Sequence, residues 1–392
     1  MDIKLKKSVE KIAPLLARKL KITWESLCFC GNGQLYEDCC EKKTYKELYF
    51  LEDLFEELQR IKEARGSLED IPPGKWKTLQ DASIDRLPCL FNGCNRVTCG
   101  GHLIPDNILK SSFWTECLTR KISHFEKVRT KSALAEDVFC PIHDDSIFKD
   151  IDTLEIDFSN KEHEFLLAFK AISFSLRHVQ GLLWIQSQIE LMRPLFIINE
   201  MEKNGKVEEG TNFDINLNQL VEQYSRFVTH YNVYQEAFEA YKKKDWGYFT
   251  FFSRSIDYSW KGIFFGWFVN PSHDLGEKKL NKATTAINMT CNVYTKDGKL
   301  NILFACPWKE SQIAYADFLD QLGGITDQKM INVINNLMSL CPDKLILRPD
   351  FDWNEKKTRK LQRLRDKAQK CLVWNGTFYL LDDDRCVKFI EI

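Results

Sequence analysis

Along residues 220 to 241 the apolar positions fall into one stripe. Leu220, Tyr224, Phe227, Tyr231, Tyr234, Phe238 and Tyr241 alternate steps of four and three residues. That spacing keeps one face of a helix toward a partner and predicts a heptad seam built mostly of aromatic rings, ending at Trp246 after three lysines. Upstream, Phe165, Phe169, Ile172 and Leu176 mark a helix of about twenty residues, and "QGLLWIQSQIELMRPLF" continues as a second. The polar stretch "EKNGKVEEGTN" reads as a loop between these helices and the aromatic seam. Near the N-terminus, Leu5, Val9, Ile12, Leu16 and Leu20 give another helical stripe, and Leu48, Leu51, Leu54, Phe55 and Leu58 place a helix over 44 to 65.

The periodicity changes in the last third. "TAINMTCNVYTKDGKLNILFAC" alternates on either side of Asp297-Gly298, a hairpin signal, and "CLVWNGTFYLL" does the same around Asn375-Gly376. Between them, 311 to 322 and 327 to 340 read as helices, "DKLILRP" as a strand, and 355 to 370 as a basic helix that Asp352 would cap. Strands grouped late rather than alternating with helices predict an α+β fold. The expected organisation is four parts: N-terminal helices with a zinc unit over 1 to 74, a second zinc-binding module over 75 to 150, a helical region over 151 to 250 and an α+β domain over 251 to 392.

Composition narrows the function classes. The chain has 392 residues, 44% hydrophobic and 28% charged, which suits an ordinary globular protein. A net charge of −1 gives no global attraction to nucleic acid or membrane. The segment "MDIKLKKSVEKIAPLL" lacks the long apolar core of a signal peptide, and the most apolar stretch, "GIFFGWFV", is too short to span a bilayer. The expectation is a soluble cytoplasmic protein without a membrane partner. In that compartment fourteen cysteines are not a disulfide framework. Six are scattered singly; the other eight all precede residue 141 and fall into two groups.

The first group is "CFCGNGQLYEDCC", with Cys28, Cys30, Cys39 and Cys40 spaced C-x-C-x8-C-C. Four soft thiolates this close suit tetrahedral Zn2+. Gly31 and Gly33 permit sharp turns around the ion, and Tyr36 can cover it. The stretch 24 to 40 resembles the SEC-C motif, the short zinc unit at the C-terminus of the SecA preprotein translocase motor. The resemblance implies an accessory recognition module that docks a protein or nucleoprotein partner.

The second group is Cys89, Cys94, Cys99 and His102 in "CLFNGCNRVTCGGHLIP", followed by Cys140 and His143 in "VFCPIHDD". A knuckle pair and a distant C-x2-H pair opening a helix is treble-clef-like spacing for a second Zn2+. Cys140 and His143 would be completed by Cys89 with Cys94 or by Cys99 with His102; the first choice leaves His102 beside the site rather than in it.

This segment also resembles the HNH nuclease motif. There a histidine stands in a "D-H-I-x-P"-like stretch between two zinc-binding pairs, as His102 does in "GHLIP". The family's last metal ligand stands one residue beyond the final zinc ligand, which here is Asp144, a hard oxygen donor suited to Mg2+ or Mn2+. The resemblance implies His102 as general base and Asp144 as cation ligand in phosphodiester hydrolysis. Gly101 replaces the usual acid before the histidine, and Ala135 stands where the middle ligand sits.

No Walker loop, G-x-G-x-x-G, G-x-S-x-G or H-E-x-x-H occurs. Asp350, Asp352, Glu355 and Lys357 are too tightly spaced for a PD-(D/E)xK site. Two readings stand. One is a zinc-binding recognition protein, with the basic segments 4 to 21 and 355 to 370 available for nucleic-acid contact. The other is an HNH-like metal-dependent nuclease with a defence or toxin role.

Overall fold

The computed structural model describes residues 25–28, 87–111, 115–121, 124–203, 218–258, 263–269, 289–307, 322–340, 344–361, 363 and 389–390. The helices expected at 4 to 21 and 44 to 65, most of the one at 311 to 322, and the hairpin on Asn375-Gly376 lie outside these residues. The fold is α+β, and it divides into two compact units. One comprises Met1–Pro88 with Leu176–Asn232, the other Cys89–Ser175 with Val233–Ile392.

Among the described residues the second unit holds nine strands. β1 (Gly100–His102) and β4 (Ala135–Asp137) form a small antiparallel pair, in which Gly101 faces Glu136 and His102 faces Ala135. The chain between them supplies α1 (Asp106–Ser111) and the hairpin β2 (Glu116–Lys121) and β3 (His124–Arg129). That hairpin joins β5 (Phe249–Asp257), β6 (Ile263–Val269), β7 (Met289–Lys296), β8 (Lys299–Pro307) and β9 (Leu345–Leu347). Together they make a seven-stranded antiparallel sheet in the order β3-β2-β9-β6-β7-β8-β5.

The β7–β8 hairpin turns where Asp297-Gly298 predicts. Both residues take positive φ, +52° and +74°, the conformation a two-residue primed turn demands. Alternation then sorts the two faces. Met289, Cys291 and Val293 with Leu300, Ile302, Phe304 and Cys306 enter the main apolar core. There they meet Met330, Ile331, Ile334 and Met338 from α5, which spans Asp327–Leu340 as its periodicity predicts. Within "GIFFGWFV", too short for a membrane, Ile263–Val269 form strand β6 in the middle of the sheet. Among the described residues no helix is long and apolar enough to cross a membrane.

The helical region differs from expectation in one respect. The two helices read upstream are one, α3, running unbroken over Lys161–Lys203 through Gly181 and Pro194. The aromatic stripe lies on α4 (Asn218–Lys243) and packs rather than projecting to solvent. Within the second unit, Phe169 stacks on Tyr234 at 5.6 Å and on Tyr241 at 5.8 Å, and Phe165 meets Trp246 at 5.1 Å. In the first unit Phe227 is buried and Tyr224 donates a hydrogen bond to the Leu27 carbonyl at 2.8 Å. Asp352 does not cap the helix that opens at 355. Asn354 does, its Oδ1 accepting from the Lys357 amide at 3.1 Å, while Asp352 binds the Lys357 ammonium.

Candidate metal centre

Two turns converge to build the site. The first is the knuckle from Cys89 to Cys94. Gly93 lies at φ +79°, a left-handed position that closes the turn, and the Cys94 amide donates to the Phe91 carbonyl at 2.9 Å. The second is the start of α2 (Pro141–Thr153), where Cys140 is the N-cap and Pro141 opens the helix. The strand entering that helix is tied to the knuckle, because the Leu90 amide donates to the Val138 carbonyl at 3.1 Å and the Cys99 amide to the Phe139 carbonyl at 2.8 Å.

These turns bring Cys89, Cys94, Cys140 and His143 together, with their ligand atoms all within 4.8 Å of one another. His143 Nδ1 lies 3.4 Å from both Cys89 Sγ and Cys140 Sγ, and Cys94 Sγ lies 4.0 Å from Cys140 Sγ. A tetrahedral zinc with Zn–S bonds of about 2.3 Å separates its sulfurs by about 3.8 Å, so the donor set and spacing fit Zn2+. Cys99 and His102 stand outside this cluster.

The local field prepares these groups for a cation. The Cys140 amide donates to Cys89 Sγ at 3.2 Å. Burial pushes the Cys89 thiol up to about 12, partly offset by that amide. Burial also raises Cys140, but the His143 amide and the neighbouring thiols outweigh it and leave Cys140 below the ordinary thiol value. Burial, then the positive Arg96, lowers His143, which favours the neutral imidazole that binds metal. Zinc would replace the protons that otherwise keep such crowded sulfurs neutral.

Several supports went unread in the sequence. Phe91, inside the knuckle, stacks on the His143 ring with centroids 3.8 Å apart and planes at 8°, and meets Phe238 of α4 edge-on at 5.0 Å. Asn92 and Gln235 exchange two side-chain hydrogen bonds of 2.8 and 3.2 Å, and the Tyr234 hydroxyl donates to the Leu90 carbonyl. An aromatic residue between two candidate ligands was the available signal; Tyr234, nearly 150 residues on, shows in the sequence only as a seam position, and Gln235 leaves no mark.

Beside the cluster lie the other two predicted residues. His102, on β1, has Nε2 2.7 Å from the Lys131 carbonyl, so that nitrogen carries the proton and Nδ1 is the acceptor. Asp144 lies in the first turn of α2 and is turned inward. Its carboxylate sits against Gly101, where a Cβ would stand 2.9 Å from Oδ1. Oδ1 is buried with no hydrogen-bond partner among the described residues. Burial raises the Asp144 pKa, against the pull of Lys170 and, more weakly, His102. Lys170 itself is buried and pairs with Asp152 at 2.8 Å.

Of the first cysteine group, Cys28 is buried, while Cys30, Cys39 and Cys40 lie outside the described residues. Comparison with protein-family models, with curated proteins and with solved structures finds no match to this chain.

Proposed function

We propose that this is a zinc-braced recognition protein that docks a protein or nucleoprotein partner through its zinc-bearing turns. The observation that carries this reading is the apolar rim of the Cys3His cluster. Val97, three residues past the knuckle, is 81% exposed, and Ile142, between two ligands, is 55% exposed. Apolar side chains held outward on rigid turns offer a partner surface to bury. Arg96, also exposed beside them, adds a charge suited to phosphate or carboxylate. The SEC-C-like cysteines at 28, 30, 39 and 40 would hold a second zinc and act in the same docking. Co-sedimentation with purified ribosomes tests the reading, with Val97→Asp/Ile142→Asp as the comparison. Wild type should bind and the double variant should not, at unchanged zinc content. Equal binding by both would reject the rim as the docking surface.

A second reading, an HNH-like nuclease, is favoured by Asp144. Its inward carboxylate fills the space that an acid at position 101 would occupy, so the acid missing from β1 is supplied by α2. A buried carboxylate oxygen without a partner is where a hard cation gains most. Mg2+ or Mn2+ bound there would stabilise charge on a leaving oxygen. His102, with Nε2 held by the Lys131 carbonyl, presents Nδ1 as the atom that would accept a proton from water. Cleavage assays on DNA and RNA with either cation decide between the readings. Loss of activity in His102→Ala and Asp144→Ala at full zinc content supports the nuclease; equal activity in all three proteins removes it.

A further inference from the structure

The helix that opens at 355 is fastened to the large sheet by one side and charged on the other. Leu361 is buried in the main core, and Phe351 and Trp353, just ahead of the helix, join the same core. Steps of three and four residues place Lys356, Arg359, Lys360 and Arg363 on the face opposite Leu361. Lys356, Arg359 and Arg363 are exposed and Lys360 is partly so. Arg359 is paired with Glu355 at 2.5 Å. Among the described residues Lys356, Lys360 and Arg363 form no ion pair.

Strand β3, last in the sheet among the described residues, extends this layer. Trp353 packs on Phe125 of β3 with ring centroids 4.3 Å apart. Lys127 follows Phe125 by two residues, so it points to the same face, where it is exposed. The Arg348 guanidinium bonds Asp350 and holds that carboxyl below its ordinary value, and nearby Lys127 adds to the pull. The acids at this end each have a cation of their own: Arg348 for Asp350, Lys357 for Asp352 and Arg359 for Glu355. Arg129, further along β3, faces Glu116 across the strand pair. Lys127, Lys356, Lys360 and Arg363 remain as surplus positive charge.

We propose that the outward face of this helix, with Lys127 of β3, is a docking surface for the sugar-phosphate backbone of a nucleic-acid duplex. The chain as a whole is at −1, so only such a local excess can draw in a polyanion. A basic helix that lies on a membrane carries apolar side chains beside its charges. Here the large apolar residues exposed among the described ones, Val97, Ile142, Leu154 and Val221, all lie elsewhere in the sequence. None of them is aromatic, so this surface offers no exposed ring on which the bases of a single strand could stack. Lys360 stands about 6 Å along the helix from Lys356, and Arg363 about 4.5 Å further, which matches about three phosphates of one strand of a duplex. Contacts of this kind reach the backbone and not the base edges, so binding is independent of sequence. The surface shares no residue with the zinc cluster or the His102–Asp144 pair, and it stands whether or not either reading above holds.

Fluorescence anisotropy of the full chain with a labelled mixed-sequence DNA duplex tests it, between about 50 and 200 mM salt and without added Mg2+ or Mn2+. Four phosphate contacts should give a slope of log affinity against log salt of about −3.6. Lys356→Gln/Lys360→Gln/Arg363→Gln should bring the slope to about −0.9 and weaken binding at least tenfold at the lowest salt, with unchanged zinc content and thermal melt. A second duplex of unrelated sequence should bind equally. The single strand, and vesicles of phosphatidylcholine with phosphatidylserine, should bind more weakly than the duplex. Should the triple variant fail to fold, Lys356→Gln alone should make the slope shallower by about 0.9. No duplex binding at the lowest salt overturns the proposal, as does a slope that the substitutions leave unchanged. Tighter binding to the single strand or to the vesicles would overturn it too.

Discussion

Phe91 lies flat on His143, with ring centroids 3.8 Å apart and an interplanar angle of 8°. The contact fixes the imidazole plane and so the direction of the Nδ1 lone pair toward the three thiols. Phe91→Ala should leave all four ligands in place but free the ring to rotate. Residues that orient a metal-bound histidine typically carry 10–100-fold in metal affinity, so the variant should lose about tenfold in zinc affinity. Phe91→Leu, which keeps bulk without the flat face, should fall between. Competition against a chromogenic chelator reads the change; identical affinity in all three proteins would show that the stacking orients nothing.

Zinc loading should be strongly pH-dependent, and the sign follows from the thiols. Without metal, burial holds Cys89 protonated up to about 12, so loading zinc at neutral pH must expel its proton. Apparent affinity therefore rises with pH, by about tenfold per unit for each proton released. His143, held below its ordinary value by burial, is already neutral near pH 7 and adds to the dependence only in more acid solution. Chelator competition between pH 6 and 8 measures the slope; a flat profile would mean that the thiols are ionised before metal arrives.

Gly101 is required for a steric reason. A methyl group at that position would meet Asp144 Oδ1 at 2.9 Å and Cγ at 3.3 Å. Gly101→Ala must push the carboxylate away, and the destabilisation should be about 1–3 kcal/mol, the range for overpacking. Asp144→Ala removes the obstacle, so the double variant should be more stable than the sum of the singles, by about 0.5–3 kcal/mol. Urea unfolding of the four proteins closes the cycle. Additive losses would place the carboxylate elsewhere in solution.

Lys170 and Asp152 tie α3 to α2 behind Asp144. The ammonium is 1% exposed and bonds both carboxylate oxygens, at 2.8 and 2.9 Å. Lys170→Met leaves Asp152 without its ion-pair partner and removes the stronger of the two positive groups, with His102, that oppose the burial of Asp144. Breaking a buried pair on one side costs about 3–5 kcal/mol, and Asp152, 21% exposed, reduces that to about 2–3. Lys170→Met/Asp152→Leu removes both charges and should recover most of the loss. Denaturant midpoints test this, and a fully stable single variant would show that the pair contributes nothing.

What was legible in the sequence was local. The Asp297-Gly298 hairpin, α5 and the aromatic face of α4 each follow from a period or a turn within one segment. The convergence of Cys89, Cys94, Cys140 and His143 was legible as one of two candidate sets, because their spacing suits a tetrahedral ion. Strand β6 was not, since a short apolar run without alternation has no strand-specific period. The insertion of β2 and β3 into the large sheet was not either, because its partner, β9, lies more than 200 residues away and the pairing leaves no mark at either end. The inward turn of Asp144 depends on a glycine 43 positions earlier, a relationship that exists only once β1 lies against α2.

The two cysteine groups should differ in what they hold up. Cys28, Cys30, Cys39 and Cys40 span thirteen residues, too few to carry a core, so Cys39→Ser should cost about one equivalent of zinc and leave the sheet intact. The second group is wired differently. Between its knuckle and its helix pair the chain leaves β1, forms α1, sends β2 and β3 into the seven-stranded sheet, and returns through β4. Lys344, just before β9, is buried and bonds Glu136 of β4 at 2.5 Å, so the turns of the Cys3His cluster and the sheet share a second tie. Losing the metal here frees both ends of the insertion. Cys140→Ser should release its zinc and also raise amide exchange across β2, β3 and β9, with β7 and β8 slower to respond because they lie farther along the sheet from the insertion. Metal analysis with hydrogen–deuterium exchange on wild type and the two variants separates the cases. Exchange in β2 and β9 that is unchanged in zinc-depleted Cys140→Ser would show that the sheet does not depend on the metal.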